Sequence, residues 1–328
     1  MTDYLLIRGG DGERILDALA VAVDLSTNAN IQIDIAVPAA LVPIAQLSEV
    51  VRRVIPITAP TPPKFSEAVS KGDWKNKLIA ATKTVASAAN RNMRDYLAVA
   101  EKLRLVRYAA VYDFDASGFS LAVARAAKTQ KIIGFAPECA PNAVSGAALM
   151  YHDTRLVPQK LSEVERCRYL VARHLNYPPD LPIGWKLRTT VPPTWMPKTP
   201  FMLVGGNIPA PFIDVLTAAG ITVVGDFEKA DVCAPEPLSP EILAALSSAA
   251  TVVVGNGLLT SIAIAKGTKT LYIGAAKALP YRATLIDTPT ALNEALKKCA
   301  TPSAASRPVD TPPTPPVSVS DSGLHLKK

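Results

Sequence analysis

At 328 residues, 49% of them hydrophobic, the chain is long enough for two domains with cores of their own and too apolar to be disordered throughout. Aromatic residues make up only 6% and charged residues 19%, so the apolar share rests on Ala, Val, Leu and Ile, a balance that fits layered α/β sheets. Cys139, Cys167, Cys233 and Cys299 lie far apart with no CxxC pair, which gives neither a zinc-ligand spacing nor a disulfide framework and points to thiols in a reducing compartment.

The formal charge is +7, unevenly spread: Arg52 to Arg107 holds twelve basic residues against four acids. Such a segment is either a solvated Lys-rich face or an attractor of polyanions such as a nucleic acid, an anionic membrane or a phosphorylated substrate. The N-terminus enters its first strand without a basic stretch and a longer apolar core, so a cytoplasmic protein without signal peptide is expected. Ile242 to Ala265 carries no charge over a membrane-spanning length, but Ser247-Ser248 and Gly255-Asn256-Gly257 divide it into helix end, strand and new helix, as in a buried βα unit.

In chain order, Leu5-Leu6-Ile7 is a short apolar run, Gly9-Gly10-Asp11-Gly12 a tight turn, and the residues from Ile15 onward an apolar helical pattern. Turns at the carboxyl ends of parallel strands are where ligands bind, so Asp11 is either a catalytic carboxylate or only the helix N-cap. A second strand spans Ile31 to Val37, a short helix Leu41 to Val51 and a third strand Val54 to Ile57. The Pro-rich Thr58 to Lys64 is expected as a loop at the same sheet edge as Asp11, and residues 74 to about 104 as a basic helical region. Ala109 to Phe114 is the next strand; its turn Asp115-Ala116-Ser117-Gly118 opens a helix over Phe119 to Ala127. Lys131 to Phe135 follows as a strand, then Ser162 to Leu175 as a helix with a capping-box start.

Seven prolines between Pro178 and Pro200 mark a domain boundary, giving residues 1–177, a linker 178–200 and a second α/β unit 201–300. That unit reads as strand Phe201 to Val204, Gly205-Gly206, helix Pro211 to Ala219, and strand Ile221 to Val224. Helix Glu241 to Ser248, strand Thr251 to Val254, helix Leu258 to Ala265, strand Thr270 to Ile273 and helix Ala291 to Cys299 follow. From Thr301 the composition turns to Pro, Ser and Thr, which predicts a disordered tail over 301–328 that is expected to dock a partner through its prolines.

Two Rossmann-like halves with Asp11 in the first βα turn resemble the ADP-heptose:lipopolysaccharide heptosyltransferases. The resemblance rests on four stretches. Val51-Arg52-Arg53-Val54-Ile55-Pro56-Ile57 is similar to the strand before the family's acceptor loop, and Val111 to Gly118 to its "vIDxqG" strand and turn. Glu163 to Tyr177 resembles its "AVERxRxLxAxxLGY" helix, and Val252 to Gly274 extends the likeness to about residue 300. The resemblance implies a GT-B architecture and a metal-independent, cofactor-free, inverting transfer of heptose from ADP-heptose onto the lipopolysaccharide inner core. It also implies an enzyme peripheral on the inner membrane face, with a phosphorylated glycolipid as acceptor.

Asp11 falls on the family's catalytic Asp, which would take the proton of the acceptor hydroxyl. Gly205, Gly206, Glu228, Gly255, Asn256, Gly257, Leu258 and Thr260 fall on its donor side, and Gly10, Gly12, Lys64, Arg91, Arg94, Asp115 and Ser117 on its acceptor side. Departures are plain: where the family commonly has Asp-Thr-Gly and then His, this chain has Gly255, Asn256, Gly257 and Thr260, and the acceptor loop keeps only Lys64 as a basic residue.

A second class of function, a catalytically lapsed relative that binds or assembles partners, follows from those departures. Nucleic-acid binding is disfavoured by the lack of an aromatic stacking platform or a reading helix in the basic segment. His152, His174 and His325 form no catalytic or metal spacing, the first two being expected as surface or capping residues, and no Walker-type or complete GxGxxG motif follows any strand.

Overall fold

The structure, a computed structural model, describes residues 2–27, 30–58, 93–139, 151–158, 160–176, 183–234, 238–275 and 280–300. Lys64, Arg91, the greater part of the Pro-rich loop and the tail 301–328 lie outside the described residues.

Alternation of short Val- and Ile-rich runs with amphipathic helices builds two all-parallel sheets. The N-terminal sheet holds β1 (Thr2–Ile7), β2 (Ile31–Pro38), β3 (Val51–Ile57), β5 (Ala110–Asp113), β7 (Ile132–Phe135) and β8 (Asp153–Arg155), in the order β3-β2-β1-β5-β7-β8. Its helices are α1 (Gly12–Leu25), the single turn α2 (Val42–Ala45), α3 (residues 93–104), α4 (Gly118–Ala126) and α5 (Glu163–Leu175). A separate two-residue pairing joins β4 (Arg107–Tyr108) to β6 (Lys128–Thr129).

The C-terminal sheet repeats the plan with β9 (Phe201–Gly205), β10 (Thr222–Gly225), β11 (Val232–Cys233), β12 (Val252–Gly255), β13 (Thr270–Ile273) and β14 (Thr284–Ile286), in the order β11-β10-β9-β12-β13-β14. Around it run α6 (Ala210–Thr217), α7 (Pro240–Ala249), α8 (Leu258–Ala265) and α9 (Pro289–Ala300). Each order reverses once, between β1 and β5 and between β9 and β12. In open parallel sheets ligands bind at that reversal, outside the carboxyl ends of the strands. The turns that follow these four strands are those of Asp11, Asp115, Gly206 and Gly257.

Where the elements differ from the sequence pattern, a local reason is visible. β3 begins at Val51, three residues before the expected Val54, because Arg52 and Arg53 both find Asp34. A register shift at Ile33/Asp34 sets two β3 residues against one of β2. The fully buried Asp34 carboxylate then accepts from Arg52 Nε at 2.9 Å, Arg53 Nη2 at 2.6 Å and Tyr108 Oη at 2.7 Å. Burial alone would raise the Asp34 pKa, and these hydrogen bonds outweigh it and lower it. Arg52 and Arg53 thus belong to an internal ion cluster and leave the basic face expected over 52–107.

The predicted helix over Leu41 to Val51 shortens to α2, since the chain turns at Leu47-Ser48 to receive the linker. Leu187 bridges Ser48, Glu49 N donates to Lys186 O at 2.9 Å, and Arg188 N donates to Leu47 O at 2.7 Å. From the other side Lys266, after α8, donates to Leu187 O at 3.3 Å and Arg188 O at 2.8 Å. Trp185 Nε1 donates to Leu16 O at 2.9 Å. One apolar cluster of buried residues runs from Leu16 and Leu19 of α1 through Ile44 to Leu259 and Ile262 of α8, so the two sheets share a core at their junction. Among the described residues no helix is long and apolar enough to cross a membrane, and Ile242 to Ala265 folds as α7, β12 and α8.

Candidate active site

β1 ends at Ile7, and the turn that follows is shaped by what surrounds it. Gly10 has φ +90°, open to glycine at little cost. A Cβ on Gly9 would lie 2.7 Å from Asp115 Oδ2, so the turn after β5 sits directly against the turn after β1. Asp11 is extended (φ −104°, ψ −178°) and N-caps α1, its Oδ1 accepting from Arg14 N at 3.0 Å; the residue is exposed. The carboxylate is therefore cap and accessible group at once, held at the positive end of a helix dipole.

Gly12 is buried because a Cβ there would meet Ile44 Cδ1 at 2.6 Å and Leu258 Cδ1 at 2.9 Å. This brings the start of α1 against the start of α8, one from each sheet. Glu13 faces the same junction, its Oε1 lying 3.8 Å from where a Gly257 Cβ would stand. Burial first, and then the charge of Asp11, raise the Glu13 pKa.

On the opposite side, β12 passes into α8 through Gly255-Asn256-Gly257. Gly206 (φ +90°) leaves room for the Asn256 side chain, whose Oδ1 would otherwise be 2.3 Å from a Cβ. Asn256 ties three strand ends together: Oδ1 accepts from Asn207 N at 3.3 Å, and Nδ2 donates to Asn207 O at 3.1 Å and Ile273 O at 3.2 Å. Gly257 (φ +69°) is the N-cap of α8 and contributes no side chain, so the first α8 amides are free of a side-chain cap. Free amides at a helix N-terminus suit an anionic diphosphate.

No protein-family model and no curated protein matches the sequence. Solved structures do match. E. coli heptosyltransferase WaaC with ADP-2-deoxy-2-fluoro heptose superimposes with a TM-score of 0.70 at 18% identity, over 91% of this chain and 100% of that one. This is the heptosyltransferase fold. E. coli ADP-heptose LPS heptosyltransferase II gives 0.61 at 16% identity, covering 91% and 98%, and the glycosyl transferase family 9 structure from Veillonella parvula 0.58 at 12%, covering 90% and 89%. The chain thus has the GT-B architecture, two Rossmann-like halves facing each other.

Within the heptosyltransferase fold, the geometry gathers Gly10, Asp11, Gly12 and Asp115 on one side and Gly205, Gly206, Gly255, Asn256, Gly257 and Leu258 on the other. The side chains of three of the expected site residues are held by the protein itself. The Thr260 hydroxyl is fully buried and donates to Gly257 O at 2.7 Å; the Asn256 amide holds backbone; Ser117 caps α4 through a reciprocal pair with Ser120. Glu228 is exposed beyond β10, and Arg94 is exposed on α3 without an ion pair among the described residues. His152 Nδ1 accepts from Ile132 N at 3.0 Å and His174 Nδ1 meets Tyr112 Oη at 2.7 Å, both structural bonds.

Sequence reasoning missed the ionisable group behind the first turn. Arg8 is 1% exposed, donates to Phe114 O and pairs with Glu163 Oε1 at 2.6 Å. Arg166 holds the other Glu163 oxygen at 3.2 Å, and Arg168 pairs with Asp24 at 2.6 Å. The helix that carries the most specific family likeness therefore works by clamping α1. Asp17, one helical turn beyond Glu13, has its pKa pushed up to about 7 by burial, against the pull of Arg8 and with the push of Glu163, Glu13 and Asp11. Part of the signal was present: an Arg directly after an apolar strand, and acids at i and i+4 near the start of the helix that follows.

Proposed function

We propose that the chain is an inverting, metal-independent glycosyltransferase that moves a sugar from a nucleoside diphosphate donor, ADP-heptose being the foremost candidate, to a phosphorylated glycolipid. Asp11 serves as general base. The observation that carries the reading is the meeting of two helix N-termini across the junction: an accessible carboxylate on α1 opposite uncapped amides on α8. Attack by an acceptor hydroxyl on the anomeric carbon needs a base at the first and charge stabilisation for the departing diphosphate at the second. No cofactor is invoked. The described residues hold no His, Cys, Asp or Glu group arranged for a metal ion. With the Asn256 and Thr260 side chains engaged internally, the diphosphate would rest on backbone N–H groups.

Peripheral attachment to the inner membrane face follows from such an acceptor, and α3 suits it: Met93 and Leu97 are 58% and 51% exposed beside Arg94, Lys102 and Arg104. The engagement of Asn256 and Thr260 also favours a second reading, a lapsed enzyme that keeps the fold as a binding or assembly factor.

Two variants test the reading. Asp11→Asn keeps a capping oxygen and removes the base, so it should fold like the wild type and transfer heptose from ADP-heptose to deep-rough lipopolysaccharide about 10²–10⁴-fold more slowly. Asp11→Ala should lose the same activity and in addition about 1 kcal/mol of stability. Wild-type rates in Asp11→Asn would overturn the assignment of the base.

A further inference from the structure

Between the halves, beside the Asp11 turn, lies a cavity of ≈ 230 Å³. Glu13 and Asp17 of α1, Glu163 of α5, Trp185 of the linker, Ser261 of α8 and Tyr281 are among the residues that line it. Among the described residues that line it there are three carboxylates and no cation. Glu163 is neutralised from behind by Arg8 and Arg166. Glu13 and Asp17 have no hydrogen bond or ion pair among the described residues, although they sit at i and i+4, where like charges repel. Two polar walls stand between aromatic ones. The indole of Trp185 is fixed by its bond to Leu16 O, and the Tyr281 ring already carries the Arg282 guanidinium 5.1 Å from its centroid.

We propose that this cavity is a subsite for an amino sugar, its ammonium held between Glu13 and Asp17 and its ring against Trp185. The volume is below the ~300–1,000 Å³ of drug-sized pockets, which limits the occupant to about one ring. An ammonium would relieve the repulsion between Glu13 and Asp17, which have no hydrogen bond or ion pair among the described residues, and would also gain from an adjacent aromatic face. Ring hydroxyls have the Ser261 side chain as a partner; Ser162 Oγ, also in the lining, already donates to Glu165 Oε2 at 2.6 Å. Because both halves contribute walls, an occupant also fastens them together. Nothing in this argument requires the transfer reaction.

The test is calorimetric titration of the full chain with glucosamine, glucose and methylammonium, and with ADP as a separate arm. Saturable glucosamine binding is expected, at least tenfold tighter than that of glucose or methylammonium, and weakened at least tenfold in Asp17→Asn and in Glu13→Gln. Ser261→Phe fills the cavity from the other half and should abolish binding, which keeps the test decisive where a carboxylate variant fails to fold. Equal binding of glucose or of methylammonium, silence to all three, or glucosamine binding that survives Asp17→Asn and Ser261→Phe would overturn the proposal. ADP binding without glucosamine binding would overturn this subsite alone, whereas glucosamine binding without ADP binding would count against the transferase reading alone.

Discussion

Asp17 shows how a single side chain reports on its surroundings. Its carboxyl, shifted from 3.8 to about 7, holds a proton in the folded chain at pH values where the unfolded chain has lost it. Between those two values the folded state binds more protons, so stability falls as pH rises, by at most about 4 kcal/mol at ~1.4 kcal/mol per unit. Asp17→Asn removes that slope. The variant should melt with the wild type near pH 4 and at a higher temperature at pH 8, and a variant that melts lower at pH 8 would contradict the account. Asp34 is the opposite case: its pKa is lowered, so its contribution is present at neutral pH and lost in acid. Asp34→Ala should destabilise the chain at pH 7 by about 3 kcal/mol, below the upper range for a broken buried pair because Arg52 and Arg53 reach water. Thermal unfolding of the two proteins at pH 7 measures it.

At the scale of elements, the parallel sheets were legible because Leu5-Leu6-Ile7, Val252-Val253-Val254 and their counterparts are apolar on both faces, the mark of strands covered by helices. The succession of βα units was legible from apolar runs followed by glycines at the turns, which is how Asp11 and Gly257 could be placed at strand ends, whereas the order of the strands within each sheet was not. Short elements were not legible. β4, β6, β8, β11 and β14 have two or three residues each, too few for a period to show. The role of Asn256 was hidden for another reason. Whether its amide faces ligand or backbone is decided by partners distant in sequence, Asn207 and Ile273. The Arg8–Glu163 pair spans 155 residues and is invisible to any local pattern.

At the scale of the molecule, the linker is the part that sequence marked only as a break. Its described residues, 183–200, stay out of helix, yet residues 183–190 are bonded to the Leu47–Glu49 turn on one side and to Lys266 on the other. Lys266→Met should cost about 1.5–3 kcal/mol of that attachment, as the loss of charge-assisted hydrogen bonds does. Limited trypsin digestion should then cut after Lys186 or Arg188 several-fold faster than in the wild type, and an unchanged rate would show that the apolar junction alone holds the halves.

Titration calorimetry of the full chain with ADP, UDP and GDP in metal-free buffer tests whether the turn at Gly257 receives a nucleoside diphosphate opposite Asp11, as proposed. Saturable binding of ADP is expected, lost in Gly257→Val while the melting profile shows a folded protein, since a β-branched side chain at φ +69° closes the amides at the start of α8. Silence across all three nucleotides from a folded wild-type chain, or ADP binding unchanged by Gly257→Val, would contradict it.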